Sequence, residues 1–250
     1  MTTEAIKKLG RAIIISTFIL MAVSFSYFKL ADYQFEPEDQ TFVIALLIFS
    51  GIYYPLAWLI ISRSPHNVIG WLFAAAISAF SLQIFGFFLR DGVGIQSTFI
   101  LLSGNFWLFG LLIPISLMLL YFPDGQLLSP RWRLVLFADV VGILALYLSF
   151  TLEDLLGSAN YAWVEGATKI LPALQVSILF GLLGSLLSVI LRYRRSRGIV
   201  RAQIKWVAFM AAIAITILLL SVSTGLVEEE FGLVFFFSPP ICIALAIGLA

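Results

Sequence analysis

Asp139 is the only acid well inside a long apolar stretch of this chain. A carboxylate carried into hydrocarbon is costly and defaults to a functional candidate. It lies six residues past Arg133, roughly 9 Å along a helix axis, so it could also snorkel to the surface or pair locally. Three amides, Gln83, Asn105 and Gln175, share such apolar stretches. Hydrogen bonds between helices are the expected use for them. The remaining inventory excludes whole reaction classes. The sole histidine, His66, sits in a gap between apolar runs, so an intramembrane Ser–His protease would lack its base. There is no HExxH for a zinc peptidase and no glycine-rich phosphate loop. An aspartyl intramembrane protease needs a second membrane aspartate. The one cysteine, Cys242, rules out an intramolecular disulfide and a multi-cysteine metal site. The sequence therefore assigns no catalytic, cofactor or metal-binding residue.

More side-chain chemistry lies in three short gaps. In "RSPHNVIGWLF", Arg63 to Phe73, Ser64-Pro65 closes one apolar run, Asn67 can cap the next helix, and Trp71 can anchor at a membrane surface. In "LYFPDGQLLSPRWR", Pro123 ends a run and Asp124-Gly125 is a turn pair. Ser129 can then cap a helix that has Pro130 at its first position, with Arg131, Trp132 and Arg133 holding it at the surface. "RYRRSRGIVRAQIKW" concentrates basic residues from Arg192 to Lys205, which suits anionic lipid headgroups or a cytoplasmic partner. Between these gaps, Ser177, Gly181 and Ser185 recur every fourth residue, with Gly184 and Ser188 alongside. That is a small-residue face for close helix packing.

What must position these residues follows from composition. The chain is 61% hydrophobic and 12% charged, whereas soluble domains carry about 25% charged residues. A soluble fold of this length has too little interior to hide so much apolar surface. A membrane-spanning helix needs about 20 apolar residues. That ruler predicts an all-α polytopic bundle occupying 1–250 as a single domain. Its eight spans lie at 12–29, 41–62, 68–89, 98–121, 134–152, 170–191, 206–226 and 232–250. The first is expected to be an uncleaved helix, because bulky and charged "FKLADYQFEPED" follows it where a cleavage site would need small residues.

The charges set the expected orientation. With the N-terminus cytoplasmic, the gaps on that side hold Lys7, Lys8, Arg11, Arg63, Arg131, Arg133 and every basic residue from Arg192 to Lys205. The opposite gaps keep only Lys29, Arg90 and Lys169 and take most of the acids, including Glu228, Glu229 and Glu230. Basic loops stay cytoplasmic, so both ends are expected inside. Trp58, Trp71, Trp132 and Trp206 fall near the same side, at the level where an indole keeps its N–H wet.

The three gaps, in this order and each before an apolar run, resemble the multi-helix N-terminal membrane region of a group of bacterial sensor histidine kinases found in actinobacteria and chloroflexi. In that group the first gap resembles Arg-x-Pro-x-Asn-Pro-Ile-Gly-Trp-Leu. It is matched by Arg63, Pro65, Asn67, Ile69, Gly70, Trp71 and Leu72, with Val68 in place of the second proline. The second resembles Phe-Pro-(Asp/Thr)-Gly…Ser-Pro-Arg-Trp, matched by Phe122, Pro123, Asp124, Gly125 and by Ser129 to Trp132. The third resembles Arg-x-Gln-(Leu/Ile)-Lys-Trp, matched by Arg201, Gln203, Ile204, Lys205 and Trp206. The resemblance covers residues 63 to 250. It implies a multi-pass protein of the bacterial cytoplasmic membrane that passes a membrane-derived signal to a cytoplasmic output. It also implies a homodimer and a kinase or response-regulator partner, and no nucleic acid. Kinase activity would belong to a domain following Ala250.

Small outside loops leave a lipid, an amphiphile or membrane tension as the expected stimulus. Pro239-Pro240, in the last predicted span, is the expected transmitter kink. The alternatives are a small-solute transporter or channel, for which one membrane acid is thin provision, and a membrane scaffold without a ligand.

Overall fold

The computed structural model describes residues 2–30, 37–95, 98–156 and 162–209. Among these residues every regular element is helical. The long helices are α1 (Thr3–Leu30), α2 (Pro37–Arg63), α3 (Val68–Phe87), α7 (Arg133–Leu156) and α8 (Ala162–Arg195). Between α3 and α7 lies a composite span of three short helices, α4 (Thr98–Ser103), α5 (Trp107–Leu112) and α6 (Leu119–Tyr121). Residues 198–209 are helical again.

Among the described residues, six stretches are long and apolar enough to cross a membrane: Thr3–Lys29, Leu46–Arg63, Val68–Arg90, Thr98–Tyr121, Pro130–Leu152 and Ile170–Arg195. They coincide with the first six spans read from the sequence. Nearly all of the predicted span 206–226 and the whole of 232–250, with Pro239, Pro240 and Cys242, lie outside the described residues.

The outer surface is apolar where those stretches run. Leu134, Phe137, Phe180 and Leu183 are each about two-thirds exposed or more. Apolar surface on this scale needs lipid or a partner to cover it.

Two boundaries differ from the sequence reading for local reasons. α1 starts at Thr3 rather than 12, because its polar first turns support themselves. The Thr2 hydroxyl accepts from the Ala5 amide (3.3 Å), and Lys7 pairs with Glu4 one turn earlier (3.4 Å). The fourth span is broken rather than continuous. The chain turns at Gly104–Phe106, and residues Ile113–Met118, which contain Pro114, form a π-helix. Such breaks free backbone groups, which inside lipid must find partners. Here Gln83 Nε2 on α3 donates to the Gly104 carbonyl (2.9 Å). Tyr147 on α7 donates to the Leu102 carbonyl (2.9 Å). Gln175 likewise donates to Ser149 Oγ (2.7 Å), so Gln83 and Gln175 make the cross-element bonds expected of them.

α1, α2 and α3 pack together around the fully buried rings of Phe49, Tyr53, Phe73 and Phe80. Phe49 and Tyr53 stack at 4.0 Å, and Tyr53 meets Phe73 edge-on at 5.0 Å. Among the described helices, α7 and α8 share the most extensive contact, built on small residues. A Cβ on Gly142 would lie 2.6 Å from the Ile178 Cα, and one on Gly184 would strike the Val135 side chain. Between helices in lipid, packing rather than water expulsion supplies the attraction, so this closeness is the main bond of the pair.

The two glycines should respond differently to alanine. Gly142 faces backbone, which cannot yield, whereas the methyls facing Gly184 can turn away. Gly142→Ala is expected to cost about 2 kcal/mol and Gly184→Ala distinctly less, read by reversible unfolding in mixed detergent. Equal costs would mean that the α7–α8 spacing adjusts freely.

Candidate functional site

The gaps that the sequence singled out converge at one end of the bundle. Asn67 caps α3, its Oδ1 accepting from the Ile69 amide (3.0 Å). The expected surface role of Trp71 is corrected in one respect. Its ring is only partly buried, but its indole N–H is not left to water and donates to the Pro65 carbonyl (2.8 Å), closing the α2–α3 hairpin from within. Arg11 joins α1 to the same end. Its Nε donates to Ser62 Oγ (3.3 Å), and its guanidinium lies 5.3 Å from the Trp58 ring centroid.

The second gap follows directly beneath. α6 stops at Tyr121, Phe122 turns to extended backbone with its ring buried, and Pro123 follows. Gly125 has φ +72°, a conformation that costs any residue with a Cβ. Its amide donates to the Tyr121 carbonyl (2.9 Å). A Cβ here would run into the Asn67 side-chain amide. Glycine at 125 thus lets the second gap lie against the first.

Ser129 departs from expectation. It precedes a 3-10 turn, Pro130–Trp132, and its side chain makes no capping bond. The turn itself begins the helix, with the Trp132 amide donating to the Ser129 carbonyl (3.0 Å). Arg131 is exposed and Trp132 partly buried.

The centre of this end is Arg192, which sequence reasoning counted only as one of a basic run. It is 8% exposed and reaches from α8 into the second gap. Nη1 donates to Asp124 Oδ1 (2.6 Å), Nη2 to the Leu120 carbonyl (3.4 Å) and to the Gln126 carbonyl, and Nε to Ser188 Oγ (3.4 Å). Asp124 also accepts from the Gln126 amide (3.2 Å), which closes the turn. One guanidinium therefore holds the end of α6, the turn and α8 in fixed relation, and its planar fork suits several acceptors at once. The clue in the sequence was spacing. Ser185, Ser188 and Arg192 share one helical face with Gly181, so Arg192 continues the small-residue face instead of pointing to lipid headgroups.

Asp139 lies further along that face. It is fully buried and packs where Gly181 leaves room, since a Cβ there would come within 2.6 Å of the Asp139 Cγ. The expectation that it snorkels or pairs locally is corrected. Ser116 approaches the carboxyl from the π-helix, but its hydroxyl donates to the Leu112 carbonyl (2.7 Å). Neither carboxyl oxygen receives a hydrogen bond, and the Ser185 hydroxyl, four residues beyond Gly181 on α8, is equally unpartnered and buried. Ser188, Arg192 and Asp124 form a bonded set, and Asp139 and Ser185 lie further along the same face of α8 without a hydrogen bond to it.

The third motif sits on the stretch 198–209. Ile204 and Val207 are buried in the common core, Gln203 is partly buried, and Lys205 and Trp206 are exposed. Arg201 lies 4.8 Å from the Tyr193 ring centroid, which ties this stretch to the end of α8. Among the described residues no group of three His, Cys, Asp or Glu side chains is placed to hold a metal.

No protein-family model, curated protein or solved structure matches the chain. The geometry therefore has to carry the functional reading.

Proposed function

We propose that the chain is the membrane input module of a sensor of the histidine-kinase type, set in a bacterial cytoplasmic membrane with the Arg192 end facing the cytoplasm. The observation that carries this reading is the Arg192 clamp. It joins the turn after α6 to the helix that leads into the basic segment 192–205. A rearrangement of the helices would reach that segment through this side chain, together with the core packing of Ile204 and Val207. Asp139 packs on Gly181 of the same α8 face, so a movement of α8 that shifts the clamp also shifts the surroundings of this buried acid. A stimulus acts here only by favouring one arrangement over another, by a few kcal/mol.

The experiment is to isolate the natural gene product from its own membranes, measure its intact mass, and follow phosphate transfer from ATP in the wild type and in Arg192→Met. The expected result is phosphotransfer, by the product itself or a co-purified kinase, whose stimulus dependence is lost in the variant. No phosphotransfer, or an unaltered response, would overturn the proposal. A solute transporter is the second reading, and the unpartnered carboxyl of Asp139 favours it. Flux into vesicles that disappears with Asp139→Asn would establish that reading instead.

A further inference from the structure

A groove of about 760 Å³ opens between the turn after α6 and the first turns of α7. Its lining is graded. Gln126, Ser129 and Arg133 lie at the end of the bundle, and Leu136, Phe137 and Val140 continue the same face of α7 inward. Positions 133 to 140 span about 10 Å of helix. A cation therefore stands at the surface end, and an apolar wall runs from it toward the middle of the span. Phe137 is two-thirds exposed, so the groove opens sideways to whatever surrounds the bundle.

Two polar side chains at its mouth, Arg133 and Ser129, are uncommitted. Arg133 is exposed, and the lining contains no acid to neutralise it. The Ser129 hydroxyl, relieved of capping, remains available. A guanidinium and a hydroxyl beside each other suit a phosphate oxygen, and the wall beneath suits an acyl chain. We propose that this groove binds one anionic glycerophospholipid, its phosphate on Arg133 and Ser129 and one chain along Leu136, Phe137 and Val140. The bound headgroup would lie against Gln126, whose carbonyl also receives Arg192, so occupancy bears directly on the clamp. The site itself rests only on the membrane reading and not on signalling.

The test uses the whole chain in phosphatidylcholine vesicles containing a trace of photoactivatable phosphatidylglycerol or photoactivatable phosphatidylcholine. Labelled peptides are mapped by mass spectrometry. The anionic probe should label residues 126–140 about fivefold more than the zwitterionic one, the effect of one basic side chain near anionic lipid. Arg133→Gln should abolish the preference and Arg133→Lys should keep most of it. Val140→Trp should block the groove to both probes while labelling around Phe180 and Leu183 persists, which reports an intact bundle. Equal labelling by the two probes, a preference that survives Arg133→Gln, or labelling unaffected by Val140→Trp would each overturn the site. Displacement of the lipid by millimolar inorganic phosphate would also overturn it, since the groove would then bind phosphate without needing a chain. Because no phosphotransfer is read, failure here is distinct from failure of the sensor reading.

Discussion

Arg192→Met should destabilise the bundle by about 3 kcal/mol and release the turn at Asp124. Methionine keeps much of the side-chain volume, so the loss is chiefly that of the guanidinium. Removing it strands the buried Leu120 carbonyl, and a buried acceptor without a donor costs about 1–3 kcal/mol, whereas the Gln126 carbonyl belongs to an exposed residue and can turn to water. Asp124 contributes less, because its side chain is 57% exposed and water can replace the lost partner. Asp124→Asn should accordingly cost only about 1 kcal/mol, leaving the arginine bound to both carbonyls. The ordering of the two variants is the informative result. Spin labels at Pro130 and Arg197, both exposed, should give one narrow distance distribution in the wild type and a broad one in Arg192→Met. A larger cost for Asp124→Asn, or unchanged distances in Arg192→Met, would mean that the ion pair and not the carbonyl clamp fixes this end.

Which parts of this were legible follows from the kind of signal each part leaves. The first six spans were, because a lipid-crossing helix must be continuously apolar and nothing else in a chain of this composition competes with that pattern. Asn67 as a cap and Asp124-Gly125 as a turn were also legible, since their effects are local: Asn67 bonds an amide two residues on, and Gly125 accepts a positive φ. Arg192 was not. A basic run at the end of an apolar helix has the same composition whether each side chain reaches outward to headgroups or one of them folds inward. The choice depends on which face of α8 meets α6, a tertiary fact. Trp71 illustrates the same limit, since its indole was expected to be wet and instead bonds Pro65. The break in the fourth span left Pro114 and Gly104 as traces, but the apolar pattern of 98–121 runs unchanged across the break and hid it.

Asp139→Leu should make the protein more stable and, on the proposed sensor reading, abolish its response to stimulus. The two side chains share a branched shape, each with two heavy atoms beyond Cγ, so leucine occupies the space beside Gly181 with little rearrangement. What it removes is a buried carboxyl whose two oxygens have no hydrogen bond. Burying a polar group without a partner costs about 1–3 kcal/mol by mutational measures, and a gain of that order is expected in reversible unfolding. Asp139→Ala, which also removes the acid, should gain nothing, because the cavity it leaves offsets the relief. The pair separates two roles that a single variant would confuse. If the carboxyl merely survives in the core, Asp139→Leu will be more stable and will respond to stimulus as before. If the buried carboxyl is a working part, the same variant will be more stable and silent, the exchange of stability for activity expected of a functional buried acid. A loss of stability in Asp139→Leu would overturn both, because it would mean that the carboxyl has a favourable partner in the membrane.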